Sequence, residues 1–131
     1  MLSQTAEYAL YAITWLTLHP ESAQTTEQIA TGMKIPPDYL SKVLQQLKKE
    51  KLVVSQRGLK GGFSLARDPS RITPLDIIMA IDPINEFETC PLGLKAHEHK
   101  LCSIHTKLNE AITMAKVAFD SSSMKELCSE E

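Results

Sequence analysis

Apolar residues in the first third of the chain recur every three to four positions, the spacing of one face of a helix. In SQTAEYALYAITWLTL, residues 3–18, Ala6, Ala9, Leu10, Ile13 and Leu16 form one stripe. Tyr8, Tyr11 and Trp15 form a second, so the pattern predicts a helix packed on two sides and ended by His19-Pro20. A second helix is predicted from TTEQIA, where Thr25 and Gln28 have the spacing of a capping box. Gly32 is expected to close it, and Lys34-Ile35-Pro36 to make the turn. A third helix opens at Pro37, a residue suited to the first helical position, and runs to Lys49. Leu40, Val43, Leu44 and Leu47 share one face, while Asp38, Lys42, Gln45 and Lys49 occupy the opposite one with Ser41 beside them.

The period then changes. LVVSQ (52–56) and FSLAR (63–67) are strand candidates, and the RGLKGG between them holds Gly58, Gly61 and Gly62, three of the five glycines in the chain. Glycine clustering of this kind marks a tight, slim hairpin tip, and Arg57 and Lys60 give it positive charge. Two helices joined by a short turn, the second polar and basic on its outer face, read as a helix-turn-helix. A basic hairpin directly after it reads as a wing. The plain alternatives are a helical hairpin and a surface loop. A fourth helix is predicted near 73–82, with Thr73 as its cap, Pro74 at its first position and Asp76 near the positive end of its dipole. Residues 83–104 have no clear periodicity. A long helix is predicted over 105–119, with Leu108, Ala111, Ile112, Ala115, Ala118 and Phe119 in a broad apolar stripe that calls for a partner surface. The polar tail DSSSMKELCSEE is expected to fray. The fold class expected is mainly α with a small β-hairpin: a winged helix-turn-helix domain (1–82), a cysteine/histidine sensor loop (83–104), and a dimerisation helix with tail (105–131).

Charge sharpens this picture. The whole chain of 131 residues carries a formal charge of −2, but residues 34–71 hold nine Lys or Arg against three acids, +6, and the remainder is −8. One basic third within an acidic chain is an electrostatic footprint for a polyanion. Double-stranded DNA is the expected partner. Thr26, Pro37, Ser41, Lys42 and Gln45 on the helices, with Arg57, Gly58, Lys60, Gly61 and Gly62 on the wing, are the candidate contacts. Three cysteines, an odd number, suggest no disulfide framework, and a reducing cytoplasm is the simplest setting. No apolar run approaches the roughly 18–20 residues of a membrane span, and the N-terminus has no pattern of a signal peptide. GLKGG lacks the GK[ST] ending of a phosphate loop, and no nucleophile elbow or carboxylate pair stands out, so no enzyme is expected.

CPLGLKAHEHKLCSIH, residues 90–105, holds two of the three cysteines and three of the four histidines. Thiolates with imidazoles suit an iron–sulfur cluster or Zn²⁺, although the spacing of Cys90, Cys102 and His105 is not that of a zinc finger. One accessible thiol suffices for a redox switch, and a purely structural loop needs none of these. Cys128, in the tail, is read as a bystander, and His19 and His99 as surface histidines.

IPPDYLSKVLQQLKKEKLVVSQRGLKGGFSLAR, preceded by EYALYAI and followed by TPLDII, a cysteine-bearing loop and a long helix, resembles the bacterial winged-helix regulators of the IscR/NsrR/CymR type. The likeness spans residues 1 to about 127. It implies a homodimeric transcription factor acting on palindromic operator DNA. Members with a cluster carry three cysteines in the loop, often with a histidine shortly after the last, while others of CymR type carry no cluster. This chain has Ala96-His97 where the middle cysteine would fall. The resemblance therefore implies a cluster, of 2Fe-2S type, held by Cys90 and Cys102 with His97 or His105, and with Glu7 on the first helix, where relatives using an acidic ligand place one. The alternatives are a cofactor-free or thiol-sensing regulator of the same fold, and a winged-helix protein-interaction scaffold, against which the basic segment argues.

Overall fold

Ala6, Ala9 and Ala12 are completely buried, and three such small side chains on one helix face let neighbouring elements pack close to its backbone. They belong to α1 (Gln4–Leu18), capped by the Ser3 hydroxyl, which accepts from the Ala6 N–H at 3.1 Å. The computed structural model describes residues 2–86 and 103–129. Around α1 it places α2 (Thr26–Met33), α3 (Pro37–Lys49), a hairpin of β1 (Val53–Gln56) and β2 (Gly62–Leu65), a short 3-10 turn (Pro69–Arg71), α4 (Pro74–Ile81), α5 (Ser103–Asp120) and α6 (Met124–Cys128). α1 packs on α2, α3, α4, α6 and β2.

The capping box predicted at α2 forms. The Thr25 hydroxyl accepts from the Gln28 N–H, and the Gln28 carbonyl oxygen accepts from the Thr25 N–H. Thr73 and Asp76 repeat the arrangement at α4, so Asp76 closes a cap as well as facing the dipole. Leu40, Val43, Leu44 and Leu47 on α3 are buried against Ile13, Leu16, Ile29 and Ile77, as the apolar stripe predicts. The strands pair antiparallel with Val53 opposite Leu65 and Gln56 opposite Gly62. Asp68 caps the 3-10 turn, and the hydrogen bonds it accepts from Ser70 hold its carboxyl below the ordinary value.

Two elements differ from the expectation. Gly32 does not close α2. The left-handed residue is Lys34 (φ 58°, ψ 48°), and the Ile35 N–H reaches back to the Ala30 carbonyl at 3.0 Å. Gly32 instead makes room for an aromatic ring: a Cβ there would lie 2.2 Å from Trp15 Cζ3. The tail is also not a frayed end. Ser123 caps α6, Met124 is buried in the core, and the Met124 N–H donates to the Ile72 carbonyl at 2.7 Å. Met124, Leu127 and Cys128 span barely more than one turn, too short an apolar run to announce a helix in a polar tail. That run suffices here because Ile72 and α1 offer a site for Met124. α5 begins two residues before the expected start and is tied at its middle and its C-terminal end. Thr113 donates to Glu86 (3.0 Å), and Thr73 donates to Asp120 (3.0 Å).

Replacing Met124 by Ala should lower the unfolding free energy by about 2–5 kcal/mol, the range for truncating a buried long apolar side chain. Urea denaturation measures it. A loss under about 0.5 kcal/mol would show that α6 is only draped on the body.

Candidate nucleic-acid interface and sensor residues

α3 emerges from Pro36 and Pro37, whose fixed φ starts the helix without a side-chain cap. Its buried stripe turns Asp38, Ser41, Lys42, Gln45 and Lys49 to solvent, so the predicted polar face is exposed. Lys48 and Lys49 lie in the last turn, where a cation suits the helix dipole. Tyr39 meets Tyr8 edge-on with ring centroids 5.1 Å apart and bonds through its hydroxyl to Thr5, fixing the start of α3 on α1. Thr26 is half-buried at the first position of α2.

The wing is held to this helical pair by backbone bonds. The Gln24 N–H donates to the Phe63 carbonyl (2.9 Å), and the Phe63 N–H donates to the Gln24 carbonyl (2.7 Å). Gln24, 7% exposed, also accepts from the Trp15 indole N–H at 3.0 Å through its side chain. His19 stacks on the same indole at 3.9 Å between centroids, so it is less a surface residue than a cover for Trp15.

The three loop glycines have separate tasks. Gly62 sits at φ 141°, and a Cβ there would come within 2.5 Å of the Gln24 backbone. Gly61 lies in the turn, where a Cβ would come within 2.5 Å of the Gln56 carbonyl oxygen. Gly58, at φ 108°, faces open space. Arg57 and Lys60 are exposed on either side of it. Gln24 was not singled out from the sequence. Its one signal there is a lone tryptophan on a helix with no polar partner of its own, and the indole N–H of a packed tryptophan needs an acceptor.

Of the candidate ligands, Glu7 is exposed on α1 and His105, 2% exposed, is buried in the first turn of α5. Cys90, His97 and Cys102 lie outside the described residues. Among the described residues no three His, Cys, Asp or Glu side chains converge as a metal site. Cys128 is half-buried and packs at the edge of the core.

The family model described as "Rrf2: Iron-dependent Transcriptional regulator" matches residues 2–130. The chain belongs to the Rrf2 family. A protein of Aquifex aeolicus, by its name a candidate HTH-type transcriptional regulator, is 34% identical over 130 residues, which cover 97% of this chain and 90% of that protein. The HTH-type transcriptional regulator IscR of Xenorhabdus nematophila is 31% identical over 90 residues, 68% of this chain but only 55% of that protein. In solved structures, CymR of B. subtilis, the global cysteine regulator, superposes with a TM-score of 0.83 at 23% identity over all of this chain and 98% of that one. T. potens IscR superposes with a TM-score of 0.81 at 23% identity, over all of this chain and 88% of that one. The Rrf2 chain is thus a winged-helix DNA-binding transcription regulator and not an enzyme. No helix among its described residues is long and apolar enough to cross a membrane.

The close approach at Gly62 separates it from Gly58. Gly58→Ala should cost about 1 kcal/mol for its positive φ alone. Gly62→Ala should cost about 1–3 kcal/mol more, because backbone must also move. Equal midpoints for the two variants in urea would show that the wing is not clamped at Gln24.

Proposed function

We propose that this Rrf2 protein acts as a homodimer on a palindromic operator and that a cluster in residues 90–105 sets its affinity. One observation carries the DNA-binding mode: the exposed face of α3 presents Ser41, Lys42 and Gln45, and the wing that follows presents Arg57 and Lys60, within a segment of net charge +6. In this reading α3 lies in the major groove, with Ser41, Lys42 and Gln45 on base edges and nearby phosphates. Thr26 and Pro37 approach the backbone. Arg57 enters the minor groove, where its guanidinium meets enhanced negative potential, and Gly58 leaves the tip open for that approach.

The dimer reading rests on α5. His105 is the one buried residue in its 18, while Ile104, Leu108, Met114 and Val117 stay exposed, the last two at 72% and 65%. Such a helix buries its apolar face against a second copy, and the two-fold axis matches an inverted repeat. Ile112→Glu with Ala115→Glu should give a monomer that binds operator poorly, since each half-site then acts alone. Sedimentation that still finds a dimer would put the interface elsewhere.

For the sensor, Cys90 and Cys102 supply two thiolates, His105 or His97 an imidazole, and Glu7, from the same or the other subunit, a carboxylate. This donor set suits a 2Fe-2S cluster, with imidazole and carboxylate making it less negative than four thiolates would. A bound cluster supplies one-electron chemistry. The chain's own part is mechanical: His105 sits at the root of α5, and a ligand there ties the loop to the helix that relates the two subunits. The departure at Ala96-His97 favours a second reading, a cofactor-free or thiol-sensing regulator of the same fold in the cytoplasm. Iron and sulfide counts on anaerobically purified protein decide between them. The cluster reading expects iron in wild type and Cys128→Ala, none in Cys90→Ala or Cys102→Ala, and operator affinity differing about 5–150-fold between loaded and empty protein. Iron-free wild type that binds operator fully would leave the second reading.

A further inference from the structure

The wing ends in a four-residue turn, closed by the Gly61 N–H donating to the Gly58 carbonyl at 3.0 Å. Leu59 and Lys60 are its two corner residues. Neither has a positive φ, so this is a turn that ordinary residues adopt, with the corner side chains at the outermost point of the hairpin. Leu59 is 108% exposed, against 72% for Met114, the next most exposed large apolar side chain among the described residues. Isolated apolar residues on a surface are common. This one occupies the apex of an element whose base is fixed by the Gln24–Phe63 bonds, with Arg57 and Lys60 on either side and open space at Gly58. It adds nothing to the core, and the turn itself does not call for a leucine at this corner, since most residues are compatible with it.

We infer that Leu59 is an apolar reader of the minor groove that selects an A·T step. The inference rests on the wing entering that groove, as proposed above. A minor groove is about 6 Å wide, enough for the narrow tip of a hairpin with one branched side chain. Its floor distinguishes A·T from G·C chiefly by the guanine N2 amine, which projects into the groove. A leucine pressed on that floor collides with the amine, cannot accept its hydrogen bond, and excludes the water that would. At an A·T step no such donor is present, and the isobutyl group packs between the sugar walls. Arg57 and Lys60 bring the tip in by charge, which discriminates weakly among bases. Leu59 adds the contact that does discriminate. Burying a leucine side chain in this way is worth about tenfold in affinity.

The probe is a duplex that wild-type protein selects from a randomised library, remade with A·T, inosine·C or G·C at the step under the wing. Inosine·C keeps the major-groove face of G·C but lacks the N2 amine, so it isolates the group in question. Wild type should bind the A·T and inosine·C duplexes alike and the G·C duplex about tenfold more weakly. Leu59→Ala should bind A·T about tenfold more weakly than wild type and treat the three duplexes alike, with unchanged thermal stability because its side chain packs on nothing. If Leu59→Ala keeps both the affinity and the preference of wild type, the inference is overturned while the wing stays in the groove. If Arg57→Ala also binds every duplex as wild type does, the wing is not in the groove, and the proposed docking falls with it.

Discussion

Two backbone hydrogen bonds between Gln24 and Phe63 fix the wing to the helical body, and the shape of the proposed DNA-binding surface depends on them. They need a close approach that Gly62 alone permits, since any Cβ there would run into the Gln24 backbone. They also need Gln24 to stay put, which its bond from the Trp15 indole secures. Trp15 in turn fits because Gly32 on α2 has no side chain to oppose its ring. A chain of contacts thus runs from α2 through α1 to the loop and into β2. A two-stranded hairpin is marginal by itself in water. Here it becomes a fixed extension of the helix pair, and in the proposed docking α3 and the wing, set at a constant distance, would grip two grooves at once.

Most of the fold was legible because its signals are local. The capping box at Thr25, the cap at Thr73, the α3 stripe of Leu40, Val43, Leu44 and Leu47, and the glycine cluster at 58–62 each lie within a few residues of one another. The two elements that differed depend on partners distant in sequence. Gly32 resembled a helix stop until Trp15, seventeen positions earlier, gave it another task. Met124 resembled part of a polar tail until Ile72, more than fifty positions earlier, offered its carbonyl. Propensity and periodicity do not contain such information, because tertiary packing overrides them.

The exposed polar face of α3 was legible for a related reason. A buried stripe on α3 leaves only one face for Ser41, Lys42 and Gln45, and the charge of the segment can be counted. Gln24 was not legible, since a buried amide has no sequence signature apart from the groups it satisfies. Leu59 was passed over because a leucine in a hairpin loop attracts no attention until its full exposure is seen. The family places the chain among DNA-binding regulators. The two proposed sensor readings differ over Cys90, His97 and Cys102, and the pair Ala96-His97, where the resemblance would place a middle cysteine, separates them.

The central claim is that α3 and the wing act as one rigid unit on adjacent grooves. Hydroxyl-radical footprinting of wild-type protein on its selected duplex tests this most directly, because the radical attacks sugars along the minor groove. Combined with dimethyl sulfate protection of guanine N7 in the major groove, it reports both contacts in one complex. The account predicts, in each half-site, a protected major-groove patch and a protected minor-groove patch about half a helical turn, or about five base pairs, away. Protection confined to the major groove would contradict it.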